Sequence, residues 1–410
     1  MDHDAWDALY TSCRQELMEI LETKGDVSDE DVRSIIDAVL APRRQNFSID
    51  VRVRLKKELF SSVRRLDVLQ ELIDDRDITE IMVNGPDRIF FEKKGKITLW
   101  DRTFSSAEKL EDVIQEIAGR CNRVINERSP IVDARLADGS RINAVIAPAA
   151  LNGPILTIRK FPDRPFTMDR LIACGTVTEE ASSFLQEMVA SGYSIVIGGG
   201  TSAGKTTFLN ALSGYIPEDE RIITIEDNAE LQIQGIKNLV RLESKRANME
   251  GAAEITIRDL IRSALRMRPD RIIVGEVRGG EAVDMLQAFN TGHDGSLCTL
   301  HANSTQDMVS RLEMMVLMAF PLPIPAIRRQ IASGVDIMIH LGRLCDRTRR
   351  VLEIAEVDGM DGDSVAMHSI FVWSDEEERL IRTGTLRNTK KLRRHAHEEK
   401  EYAQKKGTAH

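Results

Sequence analysis

The chain contains no apolar run approaching the roughly 18 residues needed to cross a bilayer. Any membrane attachment is therefore expected to go through its surface or a partner. Cysteine is sparse and scattered: Cys13, Cys121, Cys174, Cys298 and Cys345. An odd count without a C-x-x-C pair speaks against a disulfide scaffold and a structural zinc site, and reads as a reducing cytosol. Basic charge is not in surplus. The net charge is −9, so no nucleic-acid footprint over the whole molecule is expected. Repeats and low-complexity tracts are absent. The first residues, Met-Asp-His-Asp, do not read as a secretory signal. What is present is 410 residues, enough for two or three domains with real cores.

The most informative stretch is Ser194–Thr207. Ile195, Val196 and Ile197 read as a buried strand feeding a glycine-rich turn, and a helix starts near Lys205 with Phe208, Leu209 and Leu212 on its apolar face. Between them, Gly199, Gly200, Thr201, Ser202, Ala203, Gly204, Lys205, Thr206 and Thr207 contain G-x-x-x-x-G-K-[ST], a P-loop. Glycines let backbone N–H groups approach an anion, and the helix N-terminus adds positive potential. Lys205 can reach the β- and γ-phosphates, and the Thr206 hydroxyl can ligate Mg²⁺. ATP and Mg²⁺ are the expected cofactors.

Around this stretch the chain divides into five regions. Residues 1–75 read as helical, with Trp6, Leu9, Tyr10, Cys13, Leu17, Ile20 and Leu21 on one face. Ser28 with Asp31 resembles a capping box before Val32, Ile35, Ile36 and Val39. A third run, Val51, Leu55, Leu59, Val63 and Leu66, has a basic polar face: Arg52, Arg54, Lys56, Lys57, Arg64 and Arg65. That face is either solvated or a contact for acidic lipid or an acidic partner. Residues 76–158 read as a smaller α+β domain: a β-meander over 80–100, a helix opened by Ser106, a hairpin around Asp138-Gly139 and two further strands. Residues 159–168 form a linker, stiffened by two prolines in Phe161–Phe166. In 169–375, apolar strands (194–197, 221–225, 271–274) alternate with helices, which predicts an α/β domain with a parallel sheet covered on both faces. Residues 351–357 and 370–373 can be strands. Residues 376–410 read as a polar and basic tail, loose from about Arg387.

The chemistry is expected at the carboxyl ends of the parallel strands. Arg271–Glu276 is a strand ending in an acid, so Glu276 can hold Mg²⁺ through water or orient the attacking water. A P-loop strand of this kind usually ends in Asp; here Gly275 precedes the acid. A second strand, from Ile223, runs into Glu226, Asp227 and Glu230, and the sequence does not say which carboxylate is the base. His293 and His301 follow the Glu276 strand among small and hydroxyl residues. They suggest a γ-phosphate sensor; their spacing without a third ligand disfavours a metal site. Phosphoryl transfer also calls for an arginine. Candidates outside the P-loop domain are Arg128, Arg135, Arg141 and Arg159.

Four elements thus stand in order: 199–207, 223–231, 271–278 and 292–302. They resemble the P-loop, acidic box, modified Walker B and histidine box of the type II/IV secretion ATPase superfamily. Glu80–Pro86, Arg128–Arg141, Thr157–Phe161, Arg311–Met315 and Ala326–Ser333 further resemble the CpaF/TadA branch, the motors of Tad/Flp pili. The resemblance spans about residues 65–375. It implies a RecA-like ATPase domain behind a smaller PAS-like α+β domain, and a homo-hexamer peripheral to the cytoplasmic face of the inner membrane. There it would act on inner-membrane platform proteins and power pilus assembly or retraction. It also implies nucleotide between the two domains, near Arg159 and the linker, with Arg135 and Arg141 as the best candidates for arginines given to the phosphates. Type II secretion members often carry a four-cysteine zinc module, which this chain lacks. A conjugation-type secretion ATPase shares the same core and is the alternative. A DNA translocase and a nucleotide-dependent switch fit less well.

Overall fold

A computed structural model describes residues 3–24, 29–43, 48–64, 66–93, 95–121, 123–136, 138–161, 166–245 and 253–397. Its contacts divide the chain into two units, Met1–Asp163 and Arg164–His410. Ser28 of the expected capping box, and residues 162–165 of the expected linker, lie outside the described residues. Among the described residues no helix is long and apolar enough to cross a membrane.

The first unit has two cores. In one, helix Asp29–Leu40 buries Val32, Ile36 and Val39, spaced three to four apart, with Cys13 and Leu17 of helix His3–Lys24 and Leu55 and Leu59 of helix Ile49–Arg64. The other lies under a sheet of six strands: β1 (Ile78–Asn84), β2 (Ile89–Lys93), β3 (Lys96–Leu99), β4 (Ile131–Arg135), β5 (Arg141–Val145) and β6 (Ile155–Arg159). Their order is β3-β2-β1-β6-β5-β4, with every neighbouring pair antiparallel. Helix Ala107–Arg120 begins where the Ser106 hydroxyl accepts the Lys109 N–H at 3.2 Å. It buries Leu110, Val113, Ile114 and Ile117 in the same core as Ile81, Ile142, Leu156 and Ile158 of the strands. The β4–β5 hairpin turns through Gly139, whose φ of +90° suits glycine.

The second unit is built on nine strands: β7 (Ile195–Gly199), β8 (Arg221–Glu226), β9 (Asn238–Glu243), β10 (Arg271–Val277), β11 (Leu297–Leu300), β12 (Ile337–Arg343), β13 (Arg349–Asp361), β14 (Ser364–Ser374) and β15 (Arg379–Arg382). They lie in the order β15-β14-β13-β12-β7-β11-β10-β8-β9. From β12 to β9 every pairing is parallel. Alternate residues enter separate cores on the two faces: Ile195 and Ile197 on one side, Val196 on the other, with Leu297 and Cys298 dividing likewise. Burial on both faces explains why these strands read as unbroken apolar runs. The segments at 351–357 and 370–373 belong to β13 and β14, which extend the sheet antiparallel. Strand β9 escaped sequence reading because its burial is only partial and its polar residues do not alternate cleanly.

Residues 387–397 are held by specific contacts, contrary to the expectation of a loose end from about Arg387; residues 398–410 of that expectation lie outside the described residues. Glu356 on β13 is 1% exposed, and its carboxylate accepts the backbone N–H groups of Arg387 and Asn388 at 2.7 Å each. The Tyr193 hydroxyl donates to the Asn388 carbonyl at 2.6 Å. Lys391 pairs with Asp294 and Asp336 at 2.8 Å each, and residues 390–397 are helical. A polar composition reads as solvated, yet here Glu356, Tyr193 and Lys391 meet fixed counterparts. The segment covers the starts of β7, β11 and β12, the sheet edge opposite their carboxyl ends. Glu356→Ala should leave two backbone donors unsatisfied and lower the stability of this unit by about 2–4 kcal/mol. Chemical denaturation of the variant beside the parent protein reads this, and equal midpoints would show that the segment is held by other contacts.

Candidate active site

Parallel pairing carries the predicted residues to one edge. Gly198 on β7 aligns with Leu300 on β11, which aligns with Val277 on β10. Gly199, His301 and Glu276 therefore emerge side by side. Glu226 ends β8, the next strand along. The P-loop leaves β7 through two positions that exclude side chains. A Cβ on Gly199 would sit 2.5 Å from the Leu341 carbonyl oxygen, and Gly204 has a φ of +94° at the start of helix Lys205–Ser213. No side chain caps that helix start, so its first N–H groups are left for an anion.

Lys205 is 8% exposed and has no carboxylate at ion-pair distance among the described residues. Its Nζ donates to the carbonyls of Gly199 and Gly200 at 3.2 Å each and lies 3.3 Å from His301 Nδ1. Burial pulls its pKa down, partly offset by the charge of Glu276. His301 is also pulled down, first by burial and then by the Lys205 cation, so its ring is neutral at pH 7. Lys205 can only donate, so Nδ1 accepts and the ring proton is assigned to Nε2. Nε2 lies 2.6 Å from Glu276 Oε1, off the hydrogen-bonding direction, so that oxygen is buried without a hydrogen-bond partner. The other oxygen of Glu276 accepts from Arg278 Nε at 2.8 Å. Arg278 Nη1 is 3.6 Å from Asp227, which also accepts from Ser244 at 3.0 Å. Lys205, His301, Glu276, Arg278 and Asp227 thus stand in one row of neighbouring polar groups.

Glu226 is 3% exposed. One carboxylate oxygen accepts the N–H groups of Glu230 and Leu231 at 2.8 Å each, and the other has no partner. Burial pushes its pKa up to about 7, against the pull of those two N–H groups. Gly275 makes room for it: a Cβ there would lie 2.8 Å from Glu226 Cγ. Gly275, just before the acid of this strand, is therefore the seat of Glu226. Of the acids after β8, Glu226 is the buried one, Asp227 joins Arg278, and Glu230 contributes its backbone N–H.

Not every predicted residue joins this group. His293 precedes β11, at the amino edge of the sheet, with Nδ1 3.2 Å from the Ala288 carbonyl oxygen. The strand between it and His301 spans about 13 Å, so the predicted histidine pair is not a pair in space. In the first unit, β4 sets Arg135 opposite Arg141, and β5 sets Arg141 opposite Arg159. These three arginines form a row across three strands, on the face turned away from the unit's core. Arg128 lies at the other end of β4. Sequence reading missed Arg278 as a site residue. Its signal was a cation two residues beyond Glu276, on the same side of an extended chain.

The arrangement fits a nucleoside triphosphate with magnesium. It offers a buried ammonium held only by neutral groups, an uncapped helix start and two orphaned carboxylate oxygens. The sequence pattern of the family described as "Type II/IV secretion system protein" matches residues 63–409. The type IV secretion system protein PtlH of Bordetella pertussis is 34% identical over 325 residues, covering 72% of this chain and 95% of the relative. The conjugal transfer protein TrbB of Rhizobium radiobacter is 32% identical over 309 residues, covering 75% and 91%. The solved structure of the pilus retraction motor PilT with bound ADP matches at a TM-score of 0.51 and 18% identity, covering 82% of this chain and 88% of that one. That last likeness concerns the fold.

Burial disfavours the charged form of Glu226, so its contribution to stability is complete below about pH 4.5 and is lost as pH rises through about 7. Glu226→Gln should escape this loss. Denaturation midpoints of the two proteins should diverge between those pH values in favour of the glutamine variant; parallel curves would mean that Glu226 titrates normally. Gly275→Ala should displace Glu226 and destabilise by about 1–3 kcal/mol, read by the same denaturation.

Proposed function

Because this chain belongs to the type II/IV secretion system protein family, we propose that it is an ATP hydrolase whose turnover drives a pilus or secretion machine. The observation that carries this reading is Lys205, buried inside a P-loop and joined through His301 to a carboxylate with an unused oxygen. Lys205 leaves the Gly199 and Gly200 carbonyls to take phosphate charge. Thr206 and, through water, Glu276 would hold magnesium, which would supply positive charge to the phosphates. Glu276 receives the proton of the attacking water at Oε1. His301, neutral, reports whether Lys205 is engaged, and Arg278 keeps Glu276 from turning away. Glu226, largely protonated below neutrality, is a less suitable base than Glu276 but can donate a hydrogen bond.

The finer assignment is a Tad/Flp-type assembly motor: a homo-hexamer on the cytoplasmic side of the inner membrane, engaging platform proteins there. Its support is the run of motifs from Glu80 to Ser333 that resembles the CpaF/TadA branch. The names of PtlH and TrbB favour a second reading, a conjugation-type secretion ATPase. Neighbouring genes discriminate the two: prepilin and platform genes for the first, a conjugation channel for the second. Arg135, Arg141 and Arg159 are the cations that assembly would bring to the phosphates, so specific activity should rise with protein concentration as rings form.

Lys205→Ala should lower the steady-state ATPase rate by about 10²–10³-fold or more. Glu276→Gln should bind nucleotide normally yet turn over about 10²–10⁴-fold more slowly. Turnover at the parental rate in the first variant would remove the P-loop assignment. In the second, it would move the base to another carboxylate.

A further inference from the structure

A cluster of cations that the reading above does not use sits beside the P-loop, on the hairpin joining β12 to β13. Strand β12 runs parallel to β7 and places Leu341 opposite Gly199. Arg343 is two residues farther toward the same carboxyl edge, and alternation puts it on the face of Ile337, Ile339 and Leu341. Phe208, Leu209 and Leu212 of the P-loop helix pack on that same face. Across the hairpin, Arg349 is the register partner of Arg343. Arg349 Nε donates to the Ser202 carbonyl at 2.9 Å, and its Cδ lies 3.3 Å from where a Cβ on Gly204 would be. Ser202 is a non-glycine residue at a φ of +61°. The hairpin thus leans on the most constrained part of the loop.

The charge pattern is the second observation. Arg343 and Arg349 are both exposed, and directly opposed like charges repel. Among the described residues neither has a carboxylate at ion-pair distance. Arg343 Nε reaches only the Arg347 carbonyl, at 3.3 Å, and Asp346 is occupied by Thr348. Two opposed guanidinium groups beside an uncapped helix N-terminus are best explained by an anion that both share.

We propose that this hairpin is a phosphate-binding arm acting within the subunit: Arg343 and Arg349 contact the phosphate chain of the nucleotide held by the P-loop. The inference rests on the nucleotide reading of the P-loop. Arg349 has a double task, since Nε steadies the Ser202 peptide while its two terminal amino groups remain for the ligand. The arm is distinct from the arginine row of the first unit and needs no second subunit.

The test is equilibrium binding of MgATP, MgADP and adenosine to the full chain, for the parent protein and for Arg343→Ala, Arg349→Ala, Arg349→Lys and Lys205→Ala. Both alanine variants should bind MgATP about tenfold more weakly and adenosine unchanged. Their affinity should also fall less steeply with salt, because fewer charges take part. Arg349→Lys should recover part of the loss. Arg343 makes no hydrogen bond to the loop among the described residues, so weakening in Arg343→Ala is not the loss of a direct P-loop contact. If both alanine variants bind MgATP like the parent while Lys205→Ala does not, the arm is wrong and the nucleotide site stands. If adenosine weakens equally, the arm reads the nucleoside and the assignment to phosphate is overturned. If the parent protein binds no MgATP, the nucleotide reading fails and the arm fails with it.

Discussion

A buried ammonium without a counter-ion is the constraint around which the second unit is arranged. Lys205 cannot retreat into solvent, because the loop that carries it is confined between Leu341 and the helix it starts. It can only lean on neutral acceptors, two carbonyls and a neutral ring. Such a cation is costly in a protein by itself and favourable once an anion arrives. The neighbouring carboxylate, Glu276, is held one residue away through His301 rather than against the lysine. A direct lysine–glutamate pair would neutralise the site and weaken its pull on phosphate. The interposed imidazole keeps the glutamate from cancelling the lysine, while Glu276 pairs with Arg278 instead.

The sheet order makes this separation possible. Strand β11 lies between the lysine strand β7 and the glutamate strand β10, so His301, at its end, necessarily stands between the two charges. Farther along, Gly275 admits Glu226 into the space that a side chain at this position would fill. Two acids that look interchangeable in sequence therefore receive different environments: Glu226 is buried and pushed up to about 7, while Glu276 is clasped by an arginine. Their roles diverge through their neighbours, as in other sites built from two carboxylates.

Much of this was legible in the residues. The P-loop, the acidic strand ends and the two-faced parallel sheet follow from apolar runs, glycine spacing and the rule that ligands gather at carboxyl ends. His293 was misread because proximity in sequence was taken for proximity in space; a four-residue strand carries the chain from one edge of the sheet to the other. The segment from Arg387 to His397 was misread because polar composition does not reveal a buried carboxylate waiting for its backbone. Arg278 was missed because only Glu276 is near it in sequence; Asp227, just past the end of β8, is brought beside it by the fold.

The same strand order has a consequence for synthesis of the chain. The P-loop strand emerges from the ribosome long before either neighbour: β11 and β12 follow later, and the segment that seals the amino edge at Tyr193 is later still. Until those arrive, the glycine-rich loop has a strand with both edges open. Leu341, which confines Gly199, and His301, which meets Lys205, do not yet exist. The confinement of the loop is therefore complete only once β12 and the segment that meets Tyr193 have been made. A product truncated before β11 would retain the glycine-rich motif without the Leu341 and His301 contacts that surround it in the folded unit.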